Sequence, residues 1–283
     1  DYVSNLLMVV WDCLINLKDD LLALIGLVMD LLAKLCTHRE VLVIMEDELY
    51  LFELLVPRLY PFLRHSITNV RKAVLRTLKE FLSIGKTDWV DSRAMQLVFQ
   101  NLLVEQNREV LGLSVDVYAT MLKAFGSKAS LEWLRDALTL IMTPVGIARH
   151  NYEMKTELLI RPSGVKIGDE RLNKRKVEQS DSTRINIDLP MYKGDVMLIG
   201  LETFIETRTC AARAFGQSLA AVRDLAVEEA LVSQLSSPHS TPRLFAAIAL
   251  EEFGLQLRSA NDQLVLTEIK PLADAVTILQ PIL

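Results

Sequence analysis

Cys36-Thr37-His38 is the one place in this 283-residue chain where a cysteine and a histidine stand close together. A structural zinc site needs a second such pair, and Cys13, Cys210, His65, His150 and His239 are too scattered to supply one. The pattern therefore reads as a buried thiol beside a helix-end histidine. Carboxylates occur in "DELYLFE" (47–53) and at Asp19-Asp20. An acid/base pair also needs a pocket that shifts pKa values, and the exposed faces of helices carry such residues routinely. Gly164, Gly168 and Gly194 are too dispersed to cradle a nucleotide, and no GxxxxGK[ST] loop or acidic helicase box is present. No histidine sits in a nucleophile motif. The expectation is a non-enzyme, with no catalytic, cofactor-binding or metal-binding residue and no small-molecule substrate.

Two basic features remain. "RLNKRK" (171–176) brings together Arg171, Lys174, Arg175 and Lys176. It reads either as a contact for phosphate backbone or an acidic partner, or as a solvated linker neutralised by Asp169, Glu170, Glu178 and Asp181. Arg71, Arg208 and Arg243 recur near the starts of apolar helical runs. They form either a ladder for an acidic partner or a set of clamps that bond the adjacent turn and fix repeat stacking; the second reading is preferred.

The elements that must position these residues are helical. Half of the chain is apolar (51%), aromatics are few, and 11 glycines and 9 prolines are scarce for the length, which argues for helices packed on helices. The net charge of −5 gives no global attraction to nucleic acid or anionic membranes. The most hydrophobic stretch, "LLALIGLVMDLLAKL" (21–35), is interrupted by Asp30 and Lys34 and is too short to span a bilayer. Three separated cysteines in apolar surroundings suggest reduced thiols and a cytosolic or nuclear compartment.

"VPRLYPFLRHSITNVRKAVLRTL" (56–78) reads as two helices joined by a polar turn. Leu51, Leu54, Leu55, Leu59, Phe62 and Leu63 form the first apolar stripe, and Pro61 is expected to bend that helix. Val70, Val74, Leu78, Phe81 and Leu82 form the second stripe, with Asn69 as the expected N-cap. The arrangement recurs in 97–122, where Val110 falls on Val70, Tyr118 on Leu78 and Met121 on Phe81. Further along, "IETRTCAARAFGQSL" (205–219) aligns with "STPRLFAAIALEEFG" (240–254), and "SSPHSTPR" takes the place of "HSITNVR". An earlier pair flanks Lys18-Asp19-Asp20. Paired helices at periods of about 35 to 47 residues predict an α-solenoid. The fold class is all-α, with about six helix pairs interrupted by one long polar loop. The expected partition is repeats over 1–142, an insertion largely of flexible loop over 143–195, and repeats again over 196–283. The chain opens inside a helical period without an initiating methionine and closes in mid-pattern, so it reads as cut from a longer array.

The proline-bent first helix, the polar turn, and the Val70-Arg71 and Pro242-Arg243 dipeptides resemble HEAT repeats. Together with "TPVGIARHNYEMKTELLIRPSG" (143–164) and "LPMYKGDVMLIGLETFIETRTCAARAFG" (189–216), the opening pair resembles the middle of the Mot-type (BTAF) TATA-box-binding-protein-associated factors. The order of segments carries the likeness: HEAT pairs, "IRPSG", a variable polar insert, "GDVMLIG", and an arginine-containing helix.

The resemblance implies a nuclear transcription regulator whose HEAT array grips TATA-box-binding protein (TBP) while a Swi/Snf-type ATPase removes it from DNA. ATP and magnesium would belong to that motor, which this chain lacks. The partner implied is TBP, held through this array or through repeats outside it, with DNA touched only indirectly or through the basic loop. The turns suited to protein contact are His65, Thr68 and Asn69; Glu105, Gln106 and Asn107; and His239 and Thr241. The alternative is a HEAT-repeat adaptor in transport or complex assembly with an unrelated partner.

Overall fold

The computed structural model describes residues 2–15, 25–45, 52–65, 67–85, 87–125, 131–142, 159–161, 189–191, 201–261 and 269–280. Its architecture is all-α, in the manner of a HEAT-like solenoid. Among the described residues the one departure is a pair of three-residue strands, β1 (Leu159–Arg161) and β2 (Leu189–Met191), which bond to each other. They lie within the insertion expected over 143–195, the rest of which lies outside the described residues. Pro190 fits because a two-stranded sheet consists only of edges, where a missing N–H costs little.

The chain divides into two compact units. The first contains α1 (Tyr2–Ile15), α2 (Ile25–Leu35), α3 (Arg39–Ile44), α4 (Phe52–Leu59), α5 (Thr68–Ser83), most of α6 (Ser92–Val104), and α7 (Arg108–Phe125). Helix α1 packs on α2, α3 and α4, and α2 packs on α5. Trp11, Phe52 and Phe81 meet at their centre, with Phe52 edge-on to both: its ring lies 5.2 Å from Trp11 and 4.8 Å from Phe81. Such edge-to-face pairs add about 0.5–1.5 kcal/mol beyond the area they bury. Val70, Val74, Leu78, Phe81 and Leu82 are all buried on α5, while Arg71, Lys72, Arg76 and Lys79 point outward, as the period requires.

The register predicted between the second helices is visible in their limits: α5 begins at Thr68 and α7 at Arg108. Lys72 pairs with Glu109, and Lys79 Nζ lies 3.2 Å from Asp116, so the solvent sides of α5 and α7 are laced by ion pairs. Inside, Asn101 Nδ2 donates to Ser114 Oγ at 2.7 Å and ties α6 to α7. Thr77 Oγ1 donates to the Met29 carbonyl at 3.2 Å, across the α2–α5 contact.

Two sequence expectations at the opening pair are corrected. The α-helix ends at Leu59 with Pro57 inside it, and Tyr60–Arg64 continues as a 3-10 turn with Pro61 in its first positions. Pro61 therefore marks a change of helix type, since the ring removes the N–H that an α-turn would use. The N-cap of α5 is Ile67, not Asn69, and no side chain caps it.

The second unit contains α8 (Leu134–Met142), α9 (Leu201–Val222), α10 (Leu225–Ser233), α11 (Ser240–Ala260) and α12 (Lys270–Leu279). Helices α9 and α11 form its spine, α8 packs on both, and α10 packs on α11 and α12. Small residues allow the spine helices to approach closely: Ala211, Ala212, Ala246 and Ala249 are buried. Helix α9 stops at Arg223, whose left-handed φ of 58° turns the chain sharply into α10. Asp224 then caps α10 by accepting from the N–H groups of Ala226 and Val227. No described helix is long and apolar enough to cross a membrane.

Candidate functional site

The turns that join paired helices are built by a repeated device. In the turn before α5, His65 Nδ1 accepts from the Ile67 N–H at 3.1 Å, and the His65 carbonyl accepts from Arg71 Nη1 at 2.7 Å. In the turn before α11, Ser237 Oγ accepts from the His239 N–H at 3.3 Å, and the Ser237 carbonyl accepts from Arg243 Nη1 at 2.7 Å. Each turn thus has an acceptor side chain at its first position, a donor N–H two residues later at the helix N-cap, and an arginine reaching back from the first helical turn. Val70 and Pro242 occupy the matching position before the arginine, and both are buried. The clamp reading of Arg71 and Arg243 follows from this geometry, because both guanidinium groups are engaged with their own turns.

Arg208 does not share that role. It is 0% exposed, and none of its three guanidinium nitrogens has a hydrogen-bond partner among the described residues. Among the described residues its one directed contact is with the Phe204 ring, 4.9 Å away. The reason lies in where the helices begin. Arg71 and Arg243 stand in the first turn of their helices, so the carbonyl six residues earlier belongs to the preceding turn and is free to accept. Helix α9 starts at Leu201, so the carbonyl six residues before Arg208, that of Glu202, is already inside the helix. Burial pulls the Arg208 pKa down to about 9, still above neutrality, so the side chain carries its charge at pH 7.

The middle turn, 105–107, is constructed differently. Asn107 Oδ1 accepts from the N–H groups of Glu109 and Val110, an ordinary N-cap for α7. Glu105 is only 4% exposed and so stands apart from the contact surface expected of it, while Gln106 is exposed. A carboxylate among polar neighbours reads as solvated from sequence, but here it is buried at the residue that follows α6. Of the other expected contact residues, Asn69 and His239 are exposed, and His65, Thr68, Asn107 and Thr241 are half-buried. Ile67, 52% exposed at a helix N-cap, was not among them, because an isolated isoleucine in a polar turn gives no periodic signal. Arg171, Lys174, Arg175 and Lys176 lie outside the described residues.

Electrostatics at the first turn favour a neutral imidazole. Partial burial lowers the His65 pKa and the nearby Arg71 charge lowers it further. The neutral ring is the form whose Nδ1 can accept a proton. Cys36 is buried with its Sγ 3.7 Å from Met45 Sδ, whereas His38 is exposed, so the two do not converge. Burial pushes the Cys36 thiol up to about 12, which leaves it inert near neutrality. Among the described residues no group of three or more His, Cys, Asp or Glu side chains could hold a metal ion. Within these turns the exposed side chains are those of Ile67, Asn69, Gln106 and His239.

Comparison with known proteins identifies relatives of the chain. Residues 117–283 match a domain family described as a domain of unknown function (DUF3535). TATA-binding protein-associated factor MOT1 of Saccharomyces cerevisiae is 38% identical over 283 aligned residues, covering 89% of this chain and 15% of the relative. Its counterpart in Schizosaccharomyces pombe is 31% identical, covering 88% of this chain and 14% of the relative. TATA-binding protein-associated factor 172 of Homo sapiens is 32% identical over 156 residues, or 50% of this chain and 8% of the relative. The chain spans about 15% of the length of the yeast relative it matches.

Proposed function

Since this chain belongs to the Mot-type (BTAF) family of TATA-binding protein-associated factors, we propose that it is the part of such a factor that serves as a helical-repeat scaffold for gripping TATA-binding protein. The observation that carries this reading is the likeness to named TATA-binding protein-associated factors across 89% of the chain. The structure supplies a suitable means. Turns locked by Arg71 and Arg243 hold their exposed side chains without further ordering, so contact with a partner costs little conformational entropy. Several modest contacts presented by successive repeats add up to useful affinity.

In this reading the chain is non-catalytic and works in the nucleus. Removal of TATA-binding protein from DNA is driven by a Swi/Snf-type ATPase elsewhere in the full-length factor, and ATP and magnesium belong to that motor. DNA is touched indirectly, or through Arg171, Lys174, Arg175 and Lys176. The scaffold contributes position: it keeps the bound protein fixed while force is applied to adjacent DNA.

The test is a binding measurement with TATA-binding protein, using the full-length factor and the 283-residue chain. Ile67→Asp combined with Asn69→Ala leaves the Arg71 clamp intact and is expected to weaken binding by about tenfold or more, the effect of losing about 1.4 kcal/mol. Unchanged affinity in both lengths would remove the turn from the interface. A chain that fails to bind while the full-length factor binds would make these repeats spacers. Reversing the charges at Lys174, Arg175 and Lys176 should reduce the salt dependence of DNA binding if the loop meets phosphate.

A further inference from the structure

A serine or threonine followed by proline occurs three times in the chain, at Thr143-Pro144, Ser237-Pro238 and Thr241-Pro242. The first lies outside the described residues. The other two share the turn before α11 and differ in access. Phosphoryl transfer from ATP requires the hydroxyl to reach the γ-phosphorus in line, so the acceptor must enter the kinase cleft on accessible backbone. Thr241 is already the second residue of α11 and Pro242 is buried, so this dipeptide is withheld while the helix is intact. Ser237 has extended backbone, φ −59° and ψ 141°, the conformation that a following proline favours. His239 is extended as well, at φ −93° and ψ 138°, and Ser236, Pro238, His239 and Ser240 are all exposed. The Ser237 Oγ accepts from the His239 N–H and donates to no described residue, which leaves its proton free to depart.

The same turn holds a receiver for the product. Arg243 Nη1 lies 2.7 Å from the Ser237 carbonyl, and among the described residues that is the one bond the guanidinium makes. A phosphoryl group on Oγ of the residue that Arg243 already touches comes within reach of its remaining donors. From 230 to 250 there is no Asp or Glu to repel it, and Arg243 carries the one formal charge. We propose that Ser237 is a phosphorylation site for a proline-directed protein kinase and that Arg243 receives the phosphate. In the transfer the Ser237 Oγ bonds to the γ-phosphorus of ATP, the bond from that phosphorus to the β,γ-bridging oxygen breaks, and ADP leaves. The hydroxyl proton passes to the kinase's catalytic carboxylate. The product brings about −1.5 to −2 charge and three acceptor oxygens, so the turn changes from positive to negative while a charge-assisted clamp tightens it. The corresponding place in the turn before α5 is His65, which has no hydroxyl, so of these two turns the later one alone takes the modification. Neither the modification nor its capture depends on which partner the turn meets.

The test treats the folded 283-residue chain, carrying Thr143→Ala, with a proline-directed kinase and magnesium ATP, and locates the phosphate by peptide mass spectrometry. Ser237 is expected to be modified about tenfold or more faster than Thr241, which is reached only through local opening of α11. Ser237→Ala should abolish the fast incorporation. A chain that takes no phosphate at Ser237, or takes it at least as fast at Thr241, would overturn the site. Phosphorus NMR of the modified chain then follows the second ionisation of the phosphate. With Arg243 in place its midpoint is expected about half a unit or more below the ordinary value of about 6, and Arg243→Met should restore that value. Equal midpoints in the two proteins would overturn Arg243 as the receiver.

Discussion

Gly216 on α9 lies so close to α11 that a Cβ placed on it would stand 2.3 Å from the carbonyl oxygen of Ala249. The obstructing atom belongs to a backbone and cannot swing aside. Gly216→Ala is therefore expected to destabilise the second unit by about 1–3 kcal/mol, as overpacking does. Gly112 on α7 is the control, since nothing stands within 4 Å of its Cβ position. Gly112→Ala should stabilise by about 0.5–1 kcal/mol through helix propensity alone. Urea denaturation of both variants tests the pair, and equal effects would refute the close contact.

Arg71 and Arg243 make the same bond in different surroundings. Arg71 is half-buried and Arg243 exposed, so solvent competes more strongly for the second. Arg71→Met should cost about 1–2 kcal/mol, and Arg243→Met less than about 1 kcal/mol. Thermal unfolding of the single variants decides the order, and a larger loss at 243 would contradict it.

Arg208 has no acceptor to lose. Replacing it by methionine, of similar volume, removes the cost of burying an unpaired charge and sacrifices only the contact with Phe204. A net gain of about 1–3 kcal/mol is expected. The alkaline limb gives a second readout. The folded pKa is about 9 against an ordinary value of 12.5, so between these limits the unfolded chain binds more protons and this group makes stability rise with pH. That rise should vanish in Arg208→Met when the two proteins are compared point by point. A variant that is less stable than the parent at pH 7 would show that the guanidinium has a working partner in solution.

His65 is a base whose folded pKa lies below its ordinary value of 6.5. Below pH 6.5 the unfolded chain takes up the proton more readily, so this residue contributes stability near neutrality that is lost on acidification. Ser237 fills the corresponding place in the later turn without titrating. His65→Ser should therefore keep the Arg71 clamp and reduce the loss of stability between pH 7 and pH 5. Parallel acid-side slopes for parent and variant would rule out His65 as the titrating group.

The position of each second helix was legible because burial on one side forces a 3.6-residue period, and the matched stripes of α5 and α7 follow from it. The family likeness was legible for a related reason: "IRPSG", "GDVMLIG" and the arginine-bearing helix keep their order in the chain whatever their placement in space. The turn device was half legible. Aligning "HSITNVR" with "SSPHSTPR" showed the arginines, but the acceptor role shared by His65 and Ser237 depends on hydrogen-bond direction, which dissimilar side chains can satisfy equally well.

The sequence by itself determined an all-α repeat, the recurrence of Arg71 and Arg243, and the likeness to the Mot-type (BTAF) TATA-binding protein-associated factors, since these rest on local periodicity and segment order. Only the tertiary structure decided that Arg208 is buried without an acceptor among the described residues and that Glu105 is buried just beyond the end of α6. Both outcomes depend on where a helix begins or stops. A shift of one helical turn moves a carbonyl from a free turn into a closed ladder, and side-chain type alone carries no record of that shift.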